Sequence, residues 1–342
     1  MPRGGLQRVN RQLPSSIEPM EACSVDVLPD GDQWIYEPKW DGFRCLMARD
    51  GPAIALRSKS GEDLTRYFPE LVQAALEAKP AAFMLDGELV VPCGKTLSFH
   101  ALLKRIHPAA SRIARLARET PAIFVAFDLL AAGKALYVDA PLVERRQHLE
   151  TFFKTLKRSD RFALSVSTTR LATARRWLMA AGGGFDGVVA KRADLPYQAG
   201  NRDGMQKIKR YRSADCVIGG FRYTQDKQAG RNVIGSLLLG LYDDAGLLHH
   251  VGFTSAFRAG EKLRLTGELV PLSTDKSFSG TAPGGPSRWS ARRSSEWVPL
   301  KPKLVIEVLY DHLTGGRFRH GTKILRWRPD KRPRQCTFEQ LH

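Results

Sequence analysis

Apolar and polar positions alternate along this chain with two different periods, and the switches between them mark out its elements. Period-two or continuous apolar runs predict strands at Trp34–Tyr36, Phe43–Ala48, Ala53–Arg57, Phe83–Val91, Ile123–Leu130, Gly187–Lys191 and Met205–Ile208. Helical spacing predicts helices at Glu70–Ala78, Leu102–Ala117, Val143–Lys157 and Ala172–Ala181. Short strands interleaved with helices imply a mixed α/β layout with an antiparallel or mixed sheet. After Arg212 the texture changes. Cys216–Phe221, Ser236–Tyr242, His249–Phe253, Leu304–Tyr310 and Thr322–Trp327 read as strands, with one helix at Ala259–Leu269. Five strands and one helix suit a small barrel such as an OB-fold. Ser279–Ser295, rich in Gly, Ser, Pro and Arg, predicts a mobile loop. The boundary is expected near Arg212–Asp215, giving domains 1–212 and 213–342.

Length and composition agree with this division. At about 100–200 residues per domain, 342 residues suggest two domains. No run of about 18 apolar residues occurs, so no membrane-spanning helix is expected. The N-terminus has no apolar core of a secretory signal. Cys23, Cys45, Cys93, Cys216 and Cys336 are scattered and never spaced as CxxC, which argues against a structural zinc site and a disulfide framework. A reducing cytoplasm fits them best.

Charge adds a partner class. Lys and Arg number 53 against 35 Asp and Glu, a formal net charge of +18. The excess is +10 in residues 1–212 and +8 in residues 213–342, so it covers the whole body. Such a field favours a polyanion, above all nucleic acid, although a basic protein without that partner has the same composition.

Six segments carry candidate chemistry. In Glu37-Pro-Lys-Trp-Asp-Gly-Phe-Arg44, Lys39 stands near a strand end, two residues from Asp41. As a neutral amine it can attack phosphorus, which requires nearby cations or burial to lower its pKa; a β-turn with solvated Lys and Asp is the bland alternative. In Phe83-Met-Leu-Asp-Gly-Glu-Leu-Val-Val91, Asp86 and Glu88 alternate onto one face. A carboxylate buried there needs a metal, a ribose hydroxyl or a cation; on an edge strand it needs only water. In Phe124-Val-Ala-Phe-Asp-Leu-Leu130, Phe127 can stack on a purine or serve as core. Phe185-Asp-Gly-Val-Val-Ala-Lys-Arg192 places Asp186 and Lys191 at the ends of a strand, and Lys207 and Lys209 share a face of Met205-Gln-Lys-Ile-Lys-Arg210. Arg317–Arg334 holds eight Lys or Arg and one acid, fit for phosphates or for a solvated barrel strand.

In this order the segments resemble the nucleotidyl-transferase motifs of ATP-dependent DNA ligases and mRNA capping enzymes. Leu64-Thr-Arg-Tyr-Phe-Pro-Glu-Leu71, Ser213-Ala-Asp-Cys-Val-Ile-Gly-Gly-Phe221 and Tyr310–Thr337 are similar to the small bacterial C-type ATP-dependent DNA ligases, and the likeness runs from about Pro19 to the end. The resemblance implies an α+β chain: an ATP-grasp-like nucleotidyltransferase (adenylation) domain with mixed or antiparallel sheets, then a β-barrel OB-fold domain. It implies sealing of 5′-phosphate/3′-hydroxyl breaks in DNA through lysyl-AMP on Lys39 and an adenylated DNA 5′-end, in DNA repair.

The roles it implies are specific. Lys39 is the nucleophile, Glu37 reads adenine, and Asp41 acts at the nick. Arg44 contacts the ribose and nick phosphate, Glu88 meets ribose or metal, and Phe127 stacks on adenine. Asp186 and Lys191 are the acidic and basic members of the fourth motif, with Glu88 and Asp186 as metal-holding carboxylates. Lys207 and Lys209 meet the α-phosphate, and Lys59 stands where an Arg is common. Arg326, Asp330 and Lys331 orient the leaving pyrophosphate. Asp186 replaces the more usual Glu, and Lys323 an Arg.

ATP and Mg²⁺ or Mn²⁺ are the implied cofactors, and nicked or broken duplex DNA the implied partner of a cytoplasmic monomer. Separate repair polymerases or end-binding proteins fit the absence of fused modules, and 38 residues before Lys39 suggest a minimal two-domain core. Lys104–Arg118, with five basic residues and no acid, is a candidate outer DNA contact. An RNA ligase, a capping-type enzyme and a non-catalytic nucleic-acid-binding protein are the competing readings.

Overall fold

Two sheets and a barrel account for the main strand-forming segments, with two short hairpins beside them, in the computed structural model, which describes residues 17–94, 96–156, 159–182, 184–226, 231–258, 260–284 and 296–341. The chain divides into two compact units, Met1–Arg210 and Tyr211–His342. In the first unit the main strands are β1 (Trp34–Trp40), β2 (Phe43–Asp50), β3 (Ala53–Ser58), β4 (Ala82–Val90), β5 (Ile123–Ala132), β6 (Phe162–Leu164), β7 (Phe185–Arg192) and β8 (Met205–Lys209). One sheet runs in the order Cys23–Ser24, β8, β7, β1; the other runs β6, β5, β4, β2, β3, with Ala135–Leu136 paired to β5. All neighbours are antiparallel except Cys23–Ser24 with β8 and β6 with β5.

Strand alternation decides which residues face which layer. In the larger sheet Cys45, Met47, Leu85, Leu89 and Phe124 enter a core with Leu71, Leu102, Leu149 and Phe152. Those last four come from α1 (Pro69–Glu77), α2 (Phe99–Arg105) and α4 (Leu142–Thr155), with α3 (Ala110–Glu119) between α2 and α4 in sequence. The opposite face carries Leu46, Met84 and Leu130 into a second cluster with Met205 of β8. In the smaller sheet Trp34, Tyr36, Val188, Ala190 and Ile208 pack against Ala174 of α5 (Leu171–Ala180). The residues between them in sequence (Glu37 and Lys39, Val189 and Lys191, Lys207 and Lys209) alternate to the other face of that sheet.

Three sequence expectations change. Leu102–Ala117 forms two helices, because Pro108 cannot continue a helix and disfavours α geometry at His107. β1 extends past its expected end through Pro38 to Trp40; it is an edge strand, where a residue without an N–H is tolerated. The three-residue β6 carries too short a pattern to register as a strand.

The second unit contains β9 (Arg212–Asp226), β10 (Arg231–Tyr242), β11 (Leu248–Ala256), α6 (Glu261–Leu269), β12 (Val305–Tyr310) and β13 (Thr322–Trp327). Its sheet runs β10, β11, β13, β12, β9, and β9 also pairs with β10, which closes a ring of five strands. β9 does this by using its first half on β12 and its second half on β10. Leu265 and Leu269 of α6 enter the barrel core. Of the expected loop at Ser279–Ser295, residues 285–295 lie outside the described ones, while Gly280 and Thr281 hydrogen-bond to β11. No helix among the described residues is long and apolar enough to cross a membrane.

Candidate active site

A cavity of about 190 Å³ in the first unit is lined by Glu37, Lys39, Arg44, Lys59, Glu88, Phe127, Lys191 and Lys207, with Met20, Trp40 and Met205 among its apolar walls. Alternation explains the gathering. Residues of one parity on β1, β7 and β8 meet Arg44 of β2 and Glu88 of β4, and two sequence-distant sheets thereby supply a single concavity.

Lys39 Nζ lies 2.9 Å from Asp186 Oδ1, and Lys209 Nζ lies 3.1 Å from Asp186 Oδ2. A bulge makes this possible. Phe185 pairs with Trp40 and Val188 with Pro38, so Asp186 and Gly187 together stand opposite Lys39. Gly187 is required there by close approach: a Cβ would lie 1.9 Å from the Ile208 carbonyl oxygen. Gly42 has a similar constraint, since its Cβ would meet the Leu89 carbonyl oxygen at 2.1 Å. Burial pushes the Asp186 carboxyl up, but Lys39 and Lys209 outweigh it and hold its pKa below the usual aspartate range. Asp41, next to Gly42, is buried and its backbone N–H donates to the Gly184 carbonyl.

Glu37 is 2% exposed, and each of its oxygens accepts one hydrogen bond. Lys191 donates to its Oε1 at 3.0 Å, and the Ser165 hydroxyl donates to its Oε2 at 3.1 Å. Trp40 Nε1 donates in turn to Ser165 Oγ at 3.0 Å. Lys191 also stands 4.3 Å from the Phe127 ring centroid, and the Arg44 guanidinium 4.5 Å from it. Phe127 is the unopposed residue of a second bulge: Asp86 pairs with Asp128 and Gly87 with Ala126.

Arg44 is locked by Asp86, which sequence reasoning noticed but gave no role. Opposite Arg44 in register is Glu88; Asp86 is its diagonal neighbour on the same face. Arg44 donates to both Asp86 oxygens, at 2.5 and 2.6 Å, and the Tyr197 hydroxyl donates to Asp86 Oδ2 at 2.6 Å. The Tyr197 hydroxyl oxygen accepts from the Met20 backbone N–H at 2.9 Å. Burial opposes the Arg44 charge, yet Asp86 more than restores it and raises the guanidinium's pKa. Ser165 and Tyr197 left no signal in the sequence; each is an isolated polar side chain brought in by a connecting segment.

Glu88 contrasts with Asp86. Burial pushes its carboxyl up to about 7, with Lys39 and Arg44 only partly countering it. Lys207 moves the other way: burial and then the charges of Lys39 and Lys209 lower its pKa. Lys59 is more exposed and pairs with Glu21 at 2.8 Å. Among the described residues no group of three His, Cys, Asp or Glu side chains is placed to hold a metal.

Arg326, Asp330 and Lys331 belong to the second unit. Arg326 pairs with Glu307 at 2.7 Å, Lys331 with Asp215 at 2.7 Å, and Asp330 with Arg328 at 2.8 Å. Arg328 also grips both oxygens of Asp215, so three basic residues of the run, Arg326, Arg328 and Lys331, are held by carboxylates. In the expected outer contact at Lys104–Arg118, one of the five basic residues, Arg105, is corrected, while Lys104, Arg115 and Arg118 are exposed. Arg105 is fully buried and donates to both carboxylate oxygens of Glu70 at 2.6 and 2.8 Å, and Arg115 pairs along its helix with Glu119. A guanidinium holding α2 to α1 is unavailable to DNA.

Residues 17–209 match the ATP dependent DNA ligase domain family, and residues 230–331 match the ATP dependent DNA ligase C terminal region. The chain belongs to the ATP-dependent DNA ligases. Within them it is similar to the mycobacterial ligase C proteins. It is 46% identical over 340 residues to DNA ligase C2 of Mycolicibacterium smegmatis, covering 95% of this chain and 94% of that protein. It is 43% identical over 347 residues to DNA ligase C of Mycobacterium tuberculosis, covering 96% and 95%. A solved Lig E DNA ligase, described as binding DNA with a minimal scaffold, shares the fold at a TM-score of 0.56 and 16% identity, covering 92% of this chain and all of that one.

Proposed function

We propose that this ATP-dependent DNA ligase works through Lys39. The observation that carries the reading is the convergence on one cavity of Lys39, the Lys191–Glu37 pair, the Phe127 ring beside two cations, and Glu88. Glu37, with one oxygen held by Ser165, is placed to read the adenine edge, and Phe127 to stack on the base. Arg44, braced by Asp86, addresses the ribose and later the nick phosphate, and Lys59 adds a cation at the cavity wall. Lys207, Lys209 and Lys191 spread the charge of the phosphates.

In the first step the Lys39 amine attacks the α-phosphorus of ATP. A phosphoramidate forms as the α–β phosphoanhydride bond breaks, and pyrophosphate leaves. Lys39 rests in an ion pair, so it must part from Asp186 and give up a proton before attack; the incoming phosphates compete for Lys209 and release Asp186 to take it. AMP then passes to the DNA 5′-phosphate, with Asp41 assigned to this later chemistry. The 3′-hydroxyl finally displaces AMP and closes the strand. Positioning and electrostatics supply most of the catalysis in such transfers.

A divalent cation, Mg²⁺ or Mn²⁺, fits Glu88. A carboxylate raised to about 7 by burial becomes fully charged beside a cation, and one or two carboxylates plus phosphate oxygens suffice for Mg²⁺. Asp186 is the second carboxylate in this assignment, available to a cation once the proton taken from Lys39 has passed to solvent. The ion would neutralise phosphate charge. We assign adenylation to a domain of residues 1–212. The OB-fold domain, residues 213–342, carries Arg326, Asp330 and Lys331 as the groups that orient pyrophosphate. Nicked or broken duplex DNA is the substrate, and the enzyme acts as a cytoplasmic monomer in DNA repair, beside separate polymerase or end-binding proteins.

The test is self-adenylation. Wild type and Lys39→Ala are stripped with pyrophosphate, incubated with α-labelled ATP or GTP and a divalent cation, and resolved on a denaturing gel before a chase with nicked DNA. Label from ATP, on wild type only, discharged into sealed DNA is expected. Label retained by Lys39→Ala, or no label on stripped wild type, overturns the assignment.

A further inference from the structure

A second concentration of cationic groups lies wholly within the barrel unit, and no role described so far uses it. Arg222 projects from β9, His250 from β11, and Arg317 from a hairpin formed by Leu313–Thr314 and Arg317–Phe318. The hairpin turns on Gly315 and Gly316, both with positive φ, as a tight two-residue turn requires. Phe318 fastens it to β11 by packing on Gly252, where a Cβ would come within 2.8 Å of the ring.

The three side chains form a group without a counter-charge among the described residues. Arg317 Nη2 donates to His250 Nδ1 at 2.8 Å, so the imidazole is neutral and braces the guanidinium. Arg222 Nε and His250 Nε2 are both buried, and neither has a hydrogen-bond partner among the described residues. His250 is 5% exposed, whereas Arg317 is open to solvent. The charges acting on the cluster repel: Arg317 disfavours the charged form of Arg222, and Arg317 and Arg222 disfavour that of His250. This contrasts with Arg326, Arg328 and Lys331 of the same unit, each of which has a carboxylate partner. An exposed guanidinium braced on a buried imidazole, near a second arginine that repels it and beside unsatisfied donors, makes a built receptor for an anion.

We propose that Arg222 and Arg317, with His250 as the brace of Arg317, bind one phosphodiester group of the DNA backbone. Guanidinium forks match phosphate oxygens, and one phosphate between them removes the repulsion that the empty cluster carries. The excess of 20 basic over 12 acidic residues in 213–342 favours DNA over a small anion, because it draws in a polyanion along its length. The proposal rests on the reading of the chain as a DNA ligase, and the controls below separate the two.

The experiment measures the affinity of the full adenylated chain for a fluorescein-labelled nicked duplex by anisotropy over a salt series. Neutralising one backbone phosphate contributes about 0.9 to the slope of log K against log salt. Wild type and Arg222→Gln/Arg317→Ala are compared, with self-adenylation by α-labelled ATP as the measure of an intact first unit. The double variant is expected to adenylate normally and to show a slope shallower by about 0.9, one phosphate rather than two. Arg317→Ala alone, an exposed change that leaves the core untouched, is expected to shift the slope in the same direction if the double variant folds poorly. An unchanged slope in both variants overturns the site, and so does a loss of about 1.8, which marks two separate contacts. Failure of wild type to adenylate or to bind the nicked duplex counts instead against the ligase reading.

Discussion

Glu88 is a carboxylate made costly by its own cavity, and that cost can be measured. In the unfolded chain it titrates near its ordinary 4.5; in the folded chain burial lifts it to about 7. Between these values the folded protein holds a proton that the unfolded chain has lost, so stability falls as pH rises through that window. Each pKa unit is worth about 1.36 kcal/mol, so the ceiling for the shift is ~3.4 kcal/mol. Glu88 is partly exposed on the cavity wall and water screens it, which reduces the expected effect to about 2 kcal/mol. Glu88→Gln removes the titration and keeps the shape. The assay is urea unfolding of the full chain, free of nucleotide and divalent cation, at about pH 4 and about pH 8.5, on either side of the window. Pulse-labelling hydrogen exchange at one fixed pH, read on peptides covering β2 and β4, reports the unfolding of this unit. The variant should gain about 2 kcal/mol on wild type between the lower and the higher pH. A gap that is the same at both pH values, or that narrows as pH rises, refutes the reasoning, because no burial penalty then exists for a cation to relieve.

Four further outcomes follow from contacts already described. Asp86→Asn leaves Arg44 without its counter-charge; discounted for the partial exposure of Arg44, about 2–3 kcal/mol of stability should be lost in urea unfolding. Gly187→Ala drives a methyl into the Ile208 carbonyl, so β7 and β8 must separate; a loss above about 2 kcal/mol is expected, with self-adenylation falling alongside it. Ser165→Ala removes one hydrogen bond to Glu37, worth about 1 kcal/mol, and should raise the KM for ATP about fivefold in self-adenylation while leaving GTP unused. Arg105→Gln should cost about 3 kcal/mol in unfolding yet leave the salt slope of DNA binding unchanged, since Arg105 holds Glu70 inside the fold.

These outcomes divide along what could be read from the residues themselves. Alternation in Met205-Gln-Lys-Ile-Lys correctly set Lys207 and Lys209 on one face because a strand's period is local. The five barrel strands were legible for the same reason, although their ends were not: β9 spans Arg212–Asp226 where Cys216–Phe221 was expected, because it pairs with β12 before that stretch and with β10 after it. Bulges escaped notice. The pairing of Asp186 with Lys39, and the unopposed position of Phe127, each depend on one extra residue against a partner strand far away in sequence. The charge run at Lys104–Arg118 misled at one residue. Arg105 counted as surface until Glu70 and the Tyr67 carbonyl were seen to claim it, and no single-sequence pattern separates such an arginine from one facing DNA.

The same distinction between paired and unpaired charge organises the adenylation unit. Lys39 and Lys209 share Asp186, Lys191 holds Glu37, Arg44 holds Asp86, and Lys59 holds Glu21. These pairings keep a dense group of cations compatible with a folded, ligand-free cavity, since like charges left together in a partly buried space would drive one another to deprotonate. Lys207 shows that pressure directly: its pKa is lowered by burial and by the neighbouring lysines. In the reading proposed above, nucleotide phosphates take over the lysines from Asp186, and Asp186 becomes free to accept the Lys39 proton. Asp186→Asn therefore separates storage from catalysis. It should leave Lys39 among cations without a carboxylate, and adenylation should slow even though the substitution preserves the shape of the bulge. Unchanged adenylation kinetics in that variant, measured in a single turnover with α-labelled ATP, would show that Asp186 only balances charge and that another group receives the proton.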